Sequence, residues 1–146
     1  MRKTCAKCGA KCCTYFCFEI DEPTDYDEFE DIRWFLLHHD VSVHVDDGDW
    51  FISIGNRCRM LGLDNECMAY ETRPTICRTY NPAKCDHTDG DYGYDAEFTT
   101  AEELEAYARK TLGARKFDRA RAKAWGLTDK KKKKKKKKSK KRKGKA

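Results

Sequence analysis

Two groups of cysteines constrain this chain more than any other feature. The first group opens the sequence in the string CAKCGAKCC and consists of Cys5, Cys8, Cys12 and Cys13. The second group lies far downstream and consists of Cys58, Cys67, Cys77 and Cys85. Cys17 is the ninth cysteine. Because thiolates at short spacings can chelate one ion, we expect the fold to bring the two groups together around metal.

The choice between metal and disulfides follows from the compartment and from the cysteine count. No secretory signal precedes Cys5, and no apolar run approaches the roughly 20 residues that a membrane span needs. We therefore expect a cytoplasmic protein that does not enter a membrane, and disulfides are rare in a reducing compartment. The odd count and the adjacent Cys12 and Cys13 also fit a disulfide framework poorly. Metal thiolate is favoured over disulfides and over inert buried thiols.

Charge separates the chain into an acidic body and a basic tail. Fourteen of the 31 lysines and arginines fall within residues 130–146, which contain no acid. The body keeps 17 basic against 25 acidic residues, a formal balance of −8, although the whole chain carries +6. A run of nine lysines repels itself and has no apolar residue to bury, so it predicts a disordered segment that attracts nucleic acid or another polyanion.

Local patterns in the first half predict a strand, a helix and a hairpin. Phe16, Phe18 and Ile20 alternate with Cys17, which indicates a half-buried strand with Cys17 on its other side. Thr24 with Asp27 resembles a capping box, so it predicts a helix that ends near residue 39. Two alternating runs within 41–54 flank Asp47 and Gly48, a pattern typical of a β-hairpin.

The second half predicts short helices and a loop. Pro74 favours the start of a short helix with Cys77 in its first turn. Residues 82–98 are acidic and loop-like. Thr100 and Glu103 form a second capping box, and apolar spacing predicts two C-terminal helices that end near Gly126. Together these elements predict an α+β fold: a metal-stapled cysteine-cluster domain at 1–98, a helical extension at 99–127 and a disordered tail at 128–146.

The ligand set can be assembled in more than one way. Cys5 and Cys8, two residues apart, form a strong chelating pair, whereas the neighbouring side chains of Cys12 and Cys13 diverge. The eight thiols allow two four-thiolate sites, or one site with spare thiols. Zinc, iron and an iron–sulfur cluster suit these donors equally well. We expect Arg73 and Arg78 to place positive charge beside the bound cofactor, with surface ion pairing as the alternative. His38, His39 and His87 are weaker ligand candidates.

The cysteine pattern resembles a known family. The first cysteine group, followed by CRMLGLDNECMAYETRPTICRTY, resembles the CxxCxxCC, or YkgJ-like, family of zinc- or iron-chelating cysteine-cluster domains. The resemblance covers Cys5 to Cys85, and it implies a bacterial cytoplasmic metal-binding protein. The family name implies two residues between the second cysteine and the double cysteine, but this chain has three, Gly9, Ala10 and Lys11.

Three functions compete at this point. The first is a zinc, iron or iron–sulfur protein with a redox or accessory role, and the bound metal ion is then its partner. The second is a structural zinc module whose lysine tail binds nucleic acid. The third is metal trafficking or storage that uses surplus thiols such as Cys17. No acid–base pair or activated nucleophile stands out, so the sequence does not decide whether the chain is an enzyme.

Overall fold

The computed structural model describes residues 9–81 and 93–127. Three of the predicted ligands, Cys5, Cys8 and Cys85, lie outside these residues, as do His87 and the predicted disordered tail. The described chain divides into two compact units. The sheet unit comprises residues 9–22, 35–81 and 93–100, and the helical unit comprises residues 23–34 and 101–127. The boundaries predicted at residues 98 and 127 stay predictions.

A four-stranded antiparallel sheet forms the centre of the sheet unit. Its strands are β1 (Tyr15–Ile20), β2 (Val41–Asp46), β3 (Asp49–Gly55) and β4 (Ala96–Phe98), in the order β1-β3-β2-β4. Strands β2 and β3 are the predicted hairpin. Asp47 and Gly48 at its tip have positive φ values of 51° and 88°. Positive φ at both central residues is what the commonest two-residue β-hairpin turn requires, and the twist of that turn matches the twist of the strands. The helices and this sheet confirm the α+β class.

The two faces of the sheet differ in chemistry. One face is buried and apolar, and it carries Val43, Val45, Trp50, Ile52 and Phe98. Val43 pairs with Ile52 on one side and with Phe98 on the other, and the Trp50 and Phe98 rings stack with centroids 5.7 Å apart. Because strand side chains alternate, the opposite face carries the residues between these, among them Ser42, His44 and Phe51.

Strand β1 is an edge strand whose aromatic residues are only partly covered. Phe16 pairs with Ile54 and Phe18 with Ile52, but the two phenylalanines are 47% and 49% exposed. Their rings stack on each other with centroids 6.4 Å apart. Cys17 lies on the opposite side of the strand and pairs with Ser53, as the alternation predicts.

Strand β4 corrects the prediction of a loop through residue 98. Ala96–Phe98 pairs with β2, and the Phe98 side chain is buried. The turn before β4 is tied to the hairpin, because the Asp95 N–H donates to Val45 O at 2.9 Å and the Gly48 N–H donates to the Asp95 carboxylate at 3.2 Å. Three residues are too few for a periodic pattern, so only the pairing with β2 defines this strand.

The first helix, α1, spans Tyr26–Leu36, and its cap differs from the prediction by one residue. Asp25, not Thr24, caps it: Asp25 Oδ1 accepts the N–H groups of Asp27 and Glu28 at 2.9 and 3.0 Å. Thr24 instead donates its N–H and hydroxyl to the Glu28 carboxylate. The helix also ends three residues before the predicted residue 39, because Asp40 turns the chain with a φ of 59° into β2.

Two helices complete the helical unit. They are α3 (Ala101–Leu112) and α4 (Ala114–Ala124), numbered after the short helix α2 (Thr75–Thr79) of the sheet unit. Both C-terminal helices were predicted. Phe117 of α4 is buried and meets the Tyr26 ring edge-on at 5.2 Å. Charged pairs flank this core, including Arg109 with Asp118 at 2.9 Å and Arg121 with Glu105. Among the described residues, no helix has the length and apolarity to cross a membrane.

Candidate metal centre

The chain enters the site through a tight turn at the first cysteine group. Gly9 and Ala10 adopt left-handed conformations, with φ values of 66° and 53°, and a 3-10 helix follows at Lys11–Cys13. The Cys13 N–H closes this turn on Ala10 O at 2.8 Å. The Ala10 side chain is buried, and this burial helps to hold the turn against the rest of the protein. The double cysteine is therefore carried on one short helical turn directly before β1.

Strand pairing brings Cys13 of the first cysteine group beside Cys58 of the second. Tyr15 of β1 pairs with Gly55 of β3, and the ladder continues past both strand ends. The Asn56 N–H donates to Thr14 O at 2.9 Å, and the Cys58 N–H donates to Cys13 O at 2.7 Å. Cys13 and Cys58, which are distant in sequence, are thus hydrogen-bonded neighbours through their backbones.

After Cys58, two short antiparallel segments around Leu61 and Cys67 form a small hairpin-like loop. Leu61 and Cys67 form an isolated antiparallel bridge, and the Met68 N–H donates to Met60 O at 2.8 Å. The Arg57 guanidinium donates to Gly62 O at 2.7 Å and so ties the loop to the residue before Cys58. This pairing places Cys67 on the strand-like segment that runs back alongside the chain leaving Cys58.

Cys77 lies on the short helix that was predicted after Pro74. Helix α2 begins at Thr75, so Pro74 is its cap residue and not its first helical residue. The N–H groups of Cys77 and Arg78 both donate to Pro74 O, at 3.0 and 3.2 Å. The Cys77 N–H is therefore used within the turn.

Arg73 and Arg78 fold the cysteine-bearing segment onto itself. Arg73 Nε donates to Tyr70 O at 2.7 Å, and its guanidinium carbon lies 3.6 Å from the centre of the Tyr70 ring. Arg78 Nε donates to Arg73 O at 2.8 Å, and its Nη2 donates to Glu71 O. Within the described chain neither arginine takes part in an ion pair. Their contacts show a role in holding carbonyl groups in place.

The Cys13 thiol is influenced by the charges of other cysteines. Burial is the largest cause that raises the pKa of the Cys13 thiol, and the charges of Cys58, Cys67 and Cys77 raise it further. A hydrogen bond with Cys12 acts in the opposite direction. A thiolate at position 13 would thus be destabilised by three other sulfurs when no cation is present, because like charges repel. One residue of the first group and three of the second share a common electrostatic environment.

The donor set fits a soft metal ion in chemistry. Thiolates are the preferred ligands of zinc, and they also hold iron–sulfur clusters. Within residues 9–81 and 93–127, no three cysteine, histidine or carboxylate side chains already stand in a metal-coordinating arrangement. Three of the eight predicted thiols lie outside those residues. The structure therefore shows which segments converge and does not show a coordination sphere.

Comparison with protein families decides what kind of chain this is. The family CxxCxxCC, described as "Putative zinc- or iron-chelating domain", matches residues 4–143. The chain belongs to the CxxCxxCC family. The match extends beyond Cys85, where the sequence resemblance was expected to end, and includes both C-terminal helices. No curated protein and no solved structure matches the chain.

Other candidate ligands in this CxxCxxCC chain occupy different places. His38 follows the end of α1, where its Nδ1 lies 3.3 Å from Phe35 O. His39 is exposed in the turn before β2. Cys17 lies in β1 on the polar face of the sheet.

His44 is a buried polar residue that its sequence pattern does not single out. Its side chain is 9% exposed and is stacked between two rings, with centroids 5.3 Å from Phe51 and 4.2 Å from Tyr94. The signal was present in part: in a hairpin with its tip at Asp47 and Gly48, position 44 faces position 51. The contact with Tyr94 depends on β4, which the sequence did not reveal.

Proposed function

We propose that the chain binds zinc or iron through its two cysteine groups. The proposed ligands are Cys5, Cys8, Cys12, Cys13, Cys58, Cys67, Cys77 and Cys85. The observation that carries the proposal is the 2.7 Å hydrogen bond from the Cys58 N–H to Cys13 O, which joins the groups at their backbones. Family membership supports the same chemistry.

Within this set, Cys13 is proposed to share an ion with the second group. The charges of Cys58, Cys67 and Cys77 help to raise the pKa of its thiol. Together these four thiols would be a set of the kind that zinc and iron–sulfur clusters accept. Cys12 is exposed, and its short spacing from Cys8 favours the amino-terminal pair. The remaining thiols would then be available for a second ion.

Arg73 and Arg78 are proposed to shape the segment that holds Cys77. Both guanidinium groups are committed to carbonyls within residues 70–73. Their positive charge would also partly offset the negative charge of clustered thiolates. Metal binding requires deprotonated thiols, and the raised pKa of Cys13 means that uptake should release a proton and weaken as the pH falls.

Metal analysis of anaerobically purified protein tests the proposal. We expect bound zinc or iron in the wild-type chain, a strong loss of metal in Cys58→Ser, and an unchanged content in Cys17→Ser, which is the matched control on the sheet. Equal metal content in all three proteins would contradict the proposed ligand set.

The same measurement separates the finer functions. Iron together with sulfur-to-iron absorption bands supports a redox or accessory role, whereas colourless zinc protein supports a structural module. The alternative of a nucleic-acid-binding lysine tail stays a prediction, because residues 130–146 lie outside the described chain. Salt-dependent binding that is lost when these residues are deleted would support it.

A further inference from the structure

The polar face of the sheet forms a wall of an open cleft of about 710 Å³. Residues from all four strands line it, together with Tyr80 and Tyr94 from the flanking loops. All of them belong to the sheet unit. None of the five described cysteines of the proposed metal set lines this cleft, although Thr14, which follows Cys13, does.

The wall offers ring surfaces to a ligand. His44 lies between Phe51 and Tyr94 in a three-ring stack, and Tyr80 also lines the cleft. Aromatic faces attract organic cations through their quadrupole and accept methylene groups by apolar contact. The rings favour a ligand that is cationic, partly apolar or both.

The charges of the lining exclude an anion. Asp40, Asp46 and Glu97 are its charged groups, and the lining described by the structure includes no lysine and no arginine. Among the described residues, none of these three carboxylates forms an ion pair. An anionic ligand would face three uncompensated negative charges, whereas a cationic ligand would neutralise them.

The spacing of the carboxylates argues for a long cation. Asp40 precedes β2 and Asp46 ends it, so their backbones are about 20 Å apart at the rise of a β-strand. Glu97 pairs with His44 between them. Carboxylates that bind a single divalent ion must converge on it within about 2.6 Å, which is impossible over this distance.

We propose that this cleft binds a linear aliphatic polyamine. Its ammonium groups would lie near Asp40, Glu97 and Asp46, and its methylene chain would lie across Phe51 and Tyr94. The proposal does not depend on metal binding, because it uses carboxylates and aromatic rings and none of the proposed metal ligands.

Titration of the full-length chain with spermine, a polyamine long enough to reach all three carboxylates, at low ionic strength and followed by amide NMR, tests the proposal. We expect saturable shifts at Ser42, His44 and Ser53. In the double variant Asp46→Asn/Glu97→Gln, the dissociation constant should rise about tenfold, since each lost pair contributes modestly. The matched control Asp31→Asn/Glu102→Gln removes two exposed carboxylates from the helical unit and should leave the dissociation constant unchanged.

Three outcomes would overturn the proposal. Equal weakening in both double variants would show diffuse attraction to an acidic body. Shifts that do not saturate would show the same. Identical shifts with magnesium at equal total charge would identify a divalent-ion site. Wild-type amide spectra outside the cleft would confirm that each variant is folded.

Discussion

The cysteine segment, defined as residues 56–81, and the helical unit keep their shapes by different means. The helical unit buries apolar side chains, with Leu104, Ala108 and Phe117 almost inaccessible to solvent. In the cysteine segment Leu61 is buried, whereas Leu63, Met68 and Ile76 are 102%, 69% and 78% exposed. Hydrogen bonds from arginines and turns hold that segment instead. A region without an apolar core of its own has most to gain from a bound ion.

The largest expected effect is that of removing the metal. Chelation should lower the hydrogen-exchange protection of residues 56–81 far more than that of α3 and α4, because the segment carries the proposed ligands Cys58, Cys67 and Cys77 and the two helices carry none. Structural zinc contributes about 10–16 kcal/mol in small zinc domains, so the loss should be large. An equal fall in both regions would show that the comparison is wrong.

Truncation of a buried ring in the helical unit should lower the stability of the protein and leave metal binding intact. Phe117→Ala removes the ring that packs on Tyr26, so we expect a loss of about 3–5 kcal/mol in the free energy of unfolding. Metal content should not change. Phe16→Ala, the matched change at a half-exposed phenylalanine of the sheet unit, should cost clearly less in the same denaturant titration. Loss of metal from the Phe117→Ala protein would contradict the idea that the helical unit and the cysteine segment are stabilised by different interactions.

Substitution of Arg78 tests how the cysteine segment is held. Arg78→Lys keeps the charge but cannot span the carbonyls of Glu71 and Arg73, so we expect a loss of about 1–2 kcal/mol and faster metal transfer to a chelator. Arg119→Lys, at an exposed position of α4, is the control and should transfer metal at the wild-type rate. Wild-type kinetics in both variants would remove the proposed role of Arg78.

The smallest effect concerns a polar atom inside the helical unit. The Tyr26 hydroxyl is buried and has no hydrogen-bond partner among the described residues, so Tyr26→Phe should stabilise the protein by about 1 kcal/mol. Burial also raises the pKa of Tyr26. The folded state therefore keeps the phenol neutral, and wild-type stability falls once the pH exceeds the unfolded value of about 10.

The advantage of Tyr26→Phe should accordingly grow above that pH in thermal denaturation. A destabilised variant would mean that the hydroxyl makes a contact that the described residues do not show. Trp50, which has no ionisable group, offers a comparison in the sheet unit: Trp50→Phe should change stability by the same amount at every pH.

Local chemistry made much of the fold predictable. The alternation in 41–54 and the Gly48 turn defined the hairpin, and apolar spacing defined α3 and α4. The cap of α1 was misplaced because Thr24 and Asp25 are both good capping residues, and only their geometry distinguishes them. Strand β4 and the pairing of β1 with β3 depend on contacts between distant residues, which no local pattern encodes.

The candidate site also has features that the local sequence predicts and features that depend on contacts between distant residues. Residue type and spacing predict the thiols as ligands, and that prediction needs no structure. Which thiols meet depends on strand register, so the proximity of Cys13 and Cys58 could not be read from spacing. The assignment of Arg73 and Arg78 to cofactor charge followed their position near Cys77, whereas their contacts with carbonyls depend on how the segment folds.

Because a backbone hydrogen bond joins Cys13 to Cys58, the register of β1 against β3 determines whether these two cysteines are adjacent. A loop graft at the tip of the hairpin would leave the two residues adjacent, because neither their strands nor the ladder between them would change. A slip of two residues between β1 and β3 would instead move them about 7 Å past each other. Natural variation in hairpin length should therefore be tolerated, while changes in alignment should not.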